Sequence, residues 1–236
     1  GCAEGTIERY RDTAQKFFQA VNKGYKTATK DDIKAYIAMR SSQVAPNTVV
    51  NEKRNLSSFF TWLHDEGYIE RNPVKGIKVR GEDVELIYFT AQEEIAIRNT
   101  WCNLRDKALI AFLFSTGVRV GELAALNRSD VDLESNSVTF RGEKSRKGKF
   151  RTVYLDEYAR RYLRMYLAKR TDGNPALFVS TRLYDGEPRR LTNATIEKIT
   201  KSVVKNAGVN KIGTVPVPRA ILPKRLADRG CPLNVI

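Results

Sequence analysis

The sequence predicts a mainly α-helical chain in two parts, a small all-helical N-terminal domain followed by an α+β domain with a small antiparallel sheet. Three observations lead there. Apolar side chains recur at helical spacing through most of the chain, and period-two alternation is confined to two short stretches between residues 137 and 155. A Pro- and Gly-containing stretch with no sustained period separates the two parts. With 236 residues, 42% of them hydrophobic and 29% charged, the chain has ordinary globular composition and ample length for a buried core.

Residues 6–21 place Ile7, Tyr10, Ala14, Phe17, Phe18 and Val21 on one helical face. Thr29, followed three residues later by Asp32, reads as the N-cap of a second helix with Ile33, Tyr36 and Ile37 as its stripe. Pro46 and Asn47 open a third, running through Leu56, Phe59, Phe60, Trp62 and Leu63 until Gly67 stops it. These form an N-terminal domain of residues 1–71, and residues 72–85 read as a linker. In the second domain, residues 86–236, Thr90 caps one helix, and the nearly all-apolar run DKALIAFLFSTG forms a buried helix ended by Gly117. Ser137–Phe140 and Arg151–Leu155 form a β-hairpin with a very basic tip. Residues 156–170 and Thr192–Ala207 return to helical spacing, and Tyr184 falls in a loop between them.

Forty-one Lys and Arg against 27 Asp and Glu leave a net charge of +14, which suits a polyanionic partner. The charge is segregated. Residues 1–80 carry 14 basic and 9 acidic side chains, residues 81–140 carry 5 and 10, and residues 141–236 carry 22 and 8. Two basic regions flank an acidic, apolar one, so a grip on nucleic acid from two sides is expected, with a merely solubilising surface as the plain alternative. No apolar run approaches the roughly 20 residues that span a bilayer. Three cysteines, Cys2, Cys102 and Cys231, suit neither a disulfide framework nor a zinc site, and no signal-like segment opens the chain, so a reducing, cytoplasmic setting is expected.

The most informative string is STGVRVGELAALNRSDVDL, residues 115–133. Arg119 stands on the tight connection after a buried helix, where an arginine is costly unless paired. It is either a structural partner of Glu122 or a binder of an anionic group. Thr116, Gly117, Arg119, Glu122 and Leu123, then Leu126, Asp130, Val131 and Asp132, resemble the first-arginine motif of the tyrosine recombinases, the family of phage and transposon integrases and Xer-type resolvases. A second motif agrees. Phe59, Phe60, Trp62, Leu63, Gly67, Ile69, Asn72 and Pro73 stand in the register of the phrase that ends that family's core-binding domain.

The resemblance implies a SAM-like core-binding domain and a catalytic domain that close on duplex DNA as a C-shaped clamp, and a tetramer on the recombination site. It implies cleavage and rejoining of strands through a 3′-phosphotyrosine, with no cofactor and no metal. Arg119 and Arg219 would hold the scissile phosphate, and a hairpin lysine would protonate the leaving 5′ oxygen. That lysine is Lys144, close behind Gly142, with Lys147 and Lys149 as alternatives. Arg141, Arg146, Lys147, Lys149 and Arg151 on the hairpin, with Lys53 and Arg54 on the third helix, are the expected DNA contacts.

The match weakens towards the C-terminus. Around Arg219, Pro216, Ala220 and Ile221 stand where the family carries histidines and threonine, and Pro223 interrupts the expected helix, with Arg225 as a fallback for the second arginine. The single histidine, His64, belongs to an N-terminal helix surface. None of Tyr154, Tyr158, Tyr162, Tyr166 or Tyr184 stands where the nucleophile is expected, and that position falls beyond residues 231–236. With methionine only at positions 39 and 165, the chain reads as part of a longer protein that supplies the nucleophile. This polypeptide is therefore expected to bind DNA without cutting it. A noncatalytic DNA-binding regulator or architectural factor is the rival reading. RNA binding is disfavoured, since no stacking-platform motif is visible.

Overall fold

The structure is a computed structural model, and it describes residues 4–83, 88–141, 150–211 and 230. Two compact units form, Gly1–Val84 and Glu85–Ile236. Both are built mostly of helices, with small antiparallel sheets in the second.

The first unit contains α1 (Glu4–Val21), α2 (Lys30–Ser41) and α3 (Pro46–Asp65). Thr29 begins α2 with a reciprocal cap: its hydroxyl accepts from the Asp32 N–H, and the Asp32 carboxylate accepts from the Thr29 N–H at 2.8 Å. Pro46 sits in the first turn of α3, where no intrahelical N–H is needed. Gly67, at φ +75°, closes that helix, with the Tyr68 N–H bonded to the Leu63 carbonyl and the Gly67 N–H to that of His64. Phe17, Ile33, Tyr36, Leu56, Phe60 and Leu63 meet in one core, where Phe17 makes edge-to-face contacts with Tyr36 and Phe60. Val74 is buried in the same core, so the chain beyond α3 is packed there as well. Asn72 fixes that return by accepting from the Val74 N–H and donating to Thr61.

Glu52 interrupts the apolar stripe of α3 without leaving a bare charge. Its two oxygens accept from Arg40 at 2.9 and 2.7 Å and from the Tyr36 hydroxyl at 3.1 Å. Burial, with the Glu52 charge added, pushes the Tyr36 phenol up to about 12.

The second unit runs α4 (Ala91–Asn99), α5 (Leu104–Thr116), α6 (Val120–Ala125), a 3-10 turn (Arg128–Asp130), β1 (Val131–Asp132), β2 (Ser137–Arg141), β3 (Phe150–Tyr154), α7 (Glu157–Ala168), β4 (Val179–Tyr184), β5 (Glu187–Arg190) and α8 (Asn193–Asn206). Every residue of α5 from Ala108 to Phe114 is buried, as expected of a helix that is apolar all round. It packs on α7 through a core that includes Leu109, Phe112, Leu113 and Leu163. The first sheet is antiparallel in the order β1, β2, β3, with Val138 opposite Val153 and Arg141 opposite Phe150.

The structure corrects the sequence reading at Tyr184, which lies in a strand rather than a loop. β4 and β5 form a second hairpin, closed by Asp185 and Gly186 at φ +55° and +82°. Two successive positive φ values define the hairpin turn whose twist matches its strands. Tyr158, Tyr162 and Tyr166 do form one face of α7. Tyr158 donates to the Arg98 carbonyl, and the Tyr166 hydroxyl accepts from the Val179 N–H.

Candidate functional site

The site begins where α5 stops. Gly117 takes the left-handed conformation, φ +58°, and its N–H bonds to the Leu113 carbonyl. Val118 then turns into the core, and Arg119 takes the extended N-cap position of α6. The chain therefore reverses with an apolar anchor on one residue and a cation on the next.

Glu122, on the first turn of α6, organises that cation. Its carboxylate accepts from the Arg119 N–H at 3.0 Å, from Arg119 Nη1 at 3.1 Å, and from Arg151 Nη2 on β3 at 3.1 Å. Burial raises the Glu122 pKa, but the Arg119 N–H and the charges of Arg151 and Arg119 outweigh it and hold the carboxyl below its ordinary range. The Glu122 side chain is 12% exposed, whereas those of Arg119 and Arg151 are 56% and 49% exposed. Arg119 is a structural partner of Glu122, and its guanidinium nevertheless faces solvent. Nε and Nη2 of Arg119 have no partner among the described residues. A guanidinium anchored by one edge and open along another can donate two parallel hydrogen bonds to a phosphate. Arg151 also lies 5.1 Å from the Phe140 ring centroid, which fixes a second cation beside the first.

The rest of the motif is scaffold. Leu126 is buried, the Asp130 carboxylate accepts from the Asn127 N–H at 2.8 Å, and Asp132 accepts from the backbone and side chain of Ser135. Ser115 receives the Asp156 N–H at 2.7 Å and so joins the end of α5 to the start of α7.

Of the residues singled out in sequence, Arg119 and Arg151 are brought together. Lys144, Arg146, Lys147, Lys149, Arg219 and Arg225 lie outside the described residues, as does the side chain of Arg141. Within the first unit, Lys53 is half-buried and Arg54 exposed on α3. Lys53 lines an open groove of about 1050 Å³ with Lys30, His64, Arg71 and Lys75. Sequence reasoning passed over Arg190, which binds the carbonyls of Ala124 and Leu126 at the far end of α6. Two of its three partners are main-chain oxygens, which no residue pattern displays. Among the described residues, no three His, Cys, Asp or Glu side chains cluster as for a metal ion, and no helix is long and apolar enough to cross a membrane.

The profile of the phage integrase family matches residues 79–236, and that of the phage integrase N-terminal SAM-like domain matches residues 1–70. The chain belongs to the phage integrase family. Its relatives in this family are tyrosine recombinases. Tyrosine recombinase XerD of Oceanobacillus iheyensis is 28% identical over 254 aligned residues, covering all of this chain and 83% of that protein. Tyrosine recombinase XerC of Roseiflexus castenholzii is 35% identical over 153 residues, 60% of this chain and 49% of that protein. The integrase fold is shared as well. A lambda integrase (75–356) dimer bound to a COC′ core site superposes with a TM-score of 0.76 at 18% identity, covering 97% of this chain and 85% of that one. A crystal structure of XerA recombinase gives a TM-score of 0.56 at 26% identity, covering 97% and 80%.

Proposed function

We propose that this integrase-family chain recognises a specific duplex DNA site and serves strand cleavage and rejoining there. A core-binding domain of residues 1–71 is joined through residues 72–85 to a catalytic domain of residues 86–236, and the two close on DNA as a clamp. The observation that carries this reading is the solvent-facing guanidinium of Arg119, tied by one edge to Glu122 with Arg151 beside it.

Attack on a phosphodiester builds negative charge on the nonbridging oxygens. Arg119 and Arg219 hold that charge through bonds that strengthen as it grows. The tyrosine oxygen forms its bond to phosphorus as the bond to the 5′ oxygen breaks, and Lys144 passes a proton to that leaving oxygen. The phosphotyrosine conserves the bond, so rejoining by the reverse steps needs neither ATP nor a cofactor. Lys53, Arg54, Arg141, Arg146, Lys147, Lys149 and Arg151 hold phosphates along the site, the reaction runs on a tetramer, and the setting is cytoplasmic.

The second reading, a site-specific binder that does not cleave, is favoured by Pro216, Ala220 and Ile221 in place of the family's histidines and threonine. Selection from a random duplex pool tests what the two share. One enriched duplex sequence is expected, and equal retention of random duplex and RNA would overturn both. On a nicked suicide version of the selected site this polypeptide is expected to give no covalent adduct, because none of its described tyrosines stands where the family resemblance puts the nucleophile. An adduct would reject both the non-cleaving reading and that placement.

A further inference from the structure

The helix that carries Arg119 at its start is held at its end by a second arginine. Arg190, the last residue of β5, is half-buried. Its Nη1 donates to the carbonyls of Ala124 at 2.9 Å and Leu126 at 2.7 Å, and its Nη2 donates to Oδ1 of Asn127. Arg98, Arg128 and Arg170 in the same unit each pair with a carboxylate. Arg190 is bonded instead to three neutral oxygens gathered at one helix end.

That geometry has a physical reason. α6 has six residues, too few to be stable alone, and its last carbonyls have no intrahelical N–H to meet. A cation there satisfies one of those oxygens, that of Ala124, together with the carbonyl of the C-cap residue Leu126, and complements the negative end of the helix dipole. The surroundings are fixed in turn: Leu126 also accepts from the Leu177 N–H at 2.9 Å, and the Asn127 N–H is held by Asp130. At the other end Glu122 ties the helix to Arg119 and to Arg151 of β3, and Leu123 is the buried anchor between. A short helix pinned at one point can swivel about it. Pinned at both ends, it cannot.

We propose that Arg190 is a positioning residue, whose grip on the C-terminal end of α6 sets the direction in which Arg119 presents its guanidinium and keeps Arg119 and Arg151 converged on Glu122. The role in DNA cleavage rests on the function proposed above, in which Arg119 binds a phosphate. The clamp itself is testable without DNA. Misplacing a catalytic group by about 1 Å can cost about 100-fold in rate, so a small tilt of α6 matters.

The reporter is Glu122. Its carboxylate faces Arg119 on its own helix, Arg151 from β3, and Asp130 across a small pocket of about 180 Å³ that both acids line. Its titration, followed by carboxylate ¹³C NMR on the full chain, therefore reads how closely the two guanidiniums stay. In Arg190→Ala the Glu122 midpoint is expected to rise towards its ordinary value of 4.5. The Leu123 and Leu126 amides should exchange about tenfold faster. Ile97→Val in α4, which thins the same core away from α6, should move neither. Arg190→Lys gives a smaller shift in the same direction, because a single ammonium cannot fork to three oxygens, and it stands in should the alanine variant not fold. An unchanged Glu122 midpoint in the Arg190 variants, or an equal rise in Ile97→Val, would overturn the proposal. Failure of the reading in which Arg119 grips a phosphate would show elsewhere, in neutralised DNA phosphates that affect the unmodified protein and Arg119→Ala alike, and would leave this titration as it is.

Discussion

Glu122 is paired with two solvent-exposed cations, Arg119 and Arg151, and its ionisation is linked to the order around it. Because its folded pKa lies below the unfolded value, its contribution to stability is complete above the ordinary carboxylate pKa and is lost as pH falls through the lowered one. The thermal midpoint of Glu122→Gln should accordingly fall less than that of the unmodified chain between roughly pH 5 and pH 3, and parallel curves would contradict the pairing. Arg151→Ala should weaken DNA binding across sequences and reduce the salt slope by about one. An unchanged slope would mean that Arg151 serves Glu122 alone. Arg119 stood out in sequence through its motif and Arg151 through the basic hairpin, and the structure brings both to Glu122. The bond from Arg119 to Glu122 was legible as an i, i+3 pair, but the exposure of Arg119 was not, since it depends on Val118 taking the inward position.

The helical elements were legible where local chemistry marks their ends. Thr29 with Asp32, Pro46, and the glycines at 67 and 117 each act at the positions the sequence suggests. Replacing Gly67 with Ala meets open space but forces a side chain into the left-handed region, at a cost of roughly 1–2 kcal/mol. Urea unfolding followed by Trp62 fluorescence measures it, and an unchanged midpoint would mean that the α3 cap contributes nothing. Thr29→Ala should cost about 1 kcal/mol by loss of its N-cap bond, read in the same titration. One element escaped notice. The hairpin of β4 and β5 carries an Asp–Gly signal at 185 and 186, but its strands are too exposed to alternate: apart from Val179 and Pro188 they have no buried residue. α6, which begins right after Arg119, is too short to show a period of its own. Val74 lies among a proline and two glycines that suggest loose chain, yet Asn72 turns it into the core.

For the whole molecule, the proposed DNA binding draws on a charge of +14 divided between two basic regions, so phosphate contact is its expected main source of affinity. Binding to a selected duplex should weaken by at least about 100-fold between roughly 50 and 200 mM salt, and a shallow dependence would contradict a phosphate-tracking interface. Two-part organisation and segregated charge were visible in composition alone, whereas the site depends on one turn after one buried helix. The most direct test of that site neutralises DNA phosphates one at a time, as methylphosphonates in a duplex selected by the chain, and measures binding by the unmodified protein and by Arg119→Ala. One phosphate should stand out, at which loss of charge weakens the unmodified protein but leaves Arg119→Ala unaffected. If every neutralised phosphate affects the two proteins alike, Arg119 grips no phosphate and the reading fails.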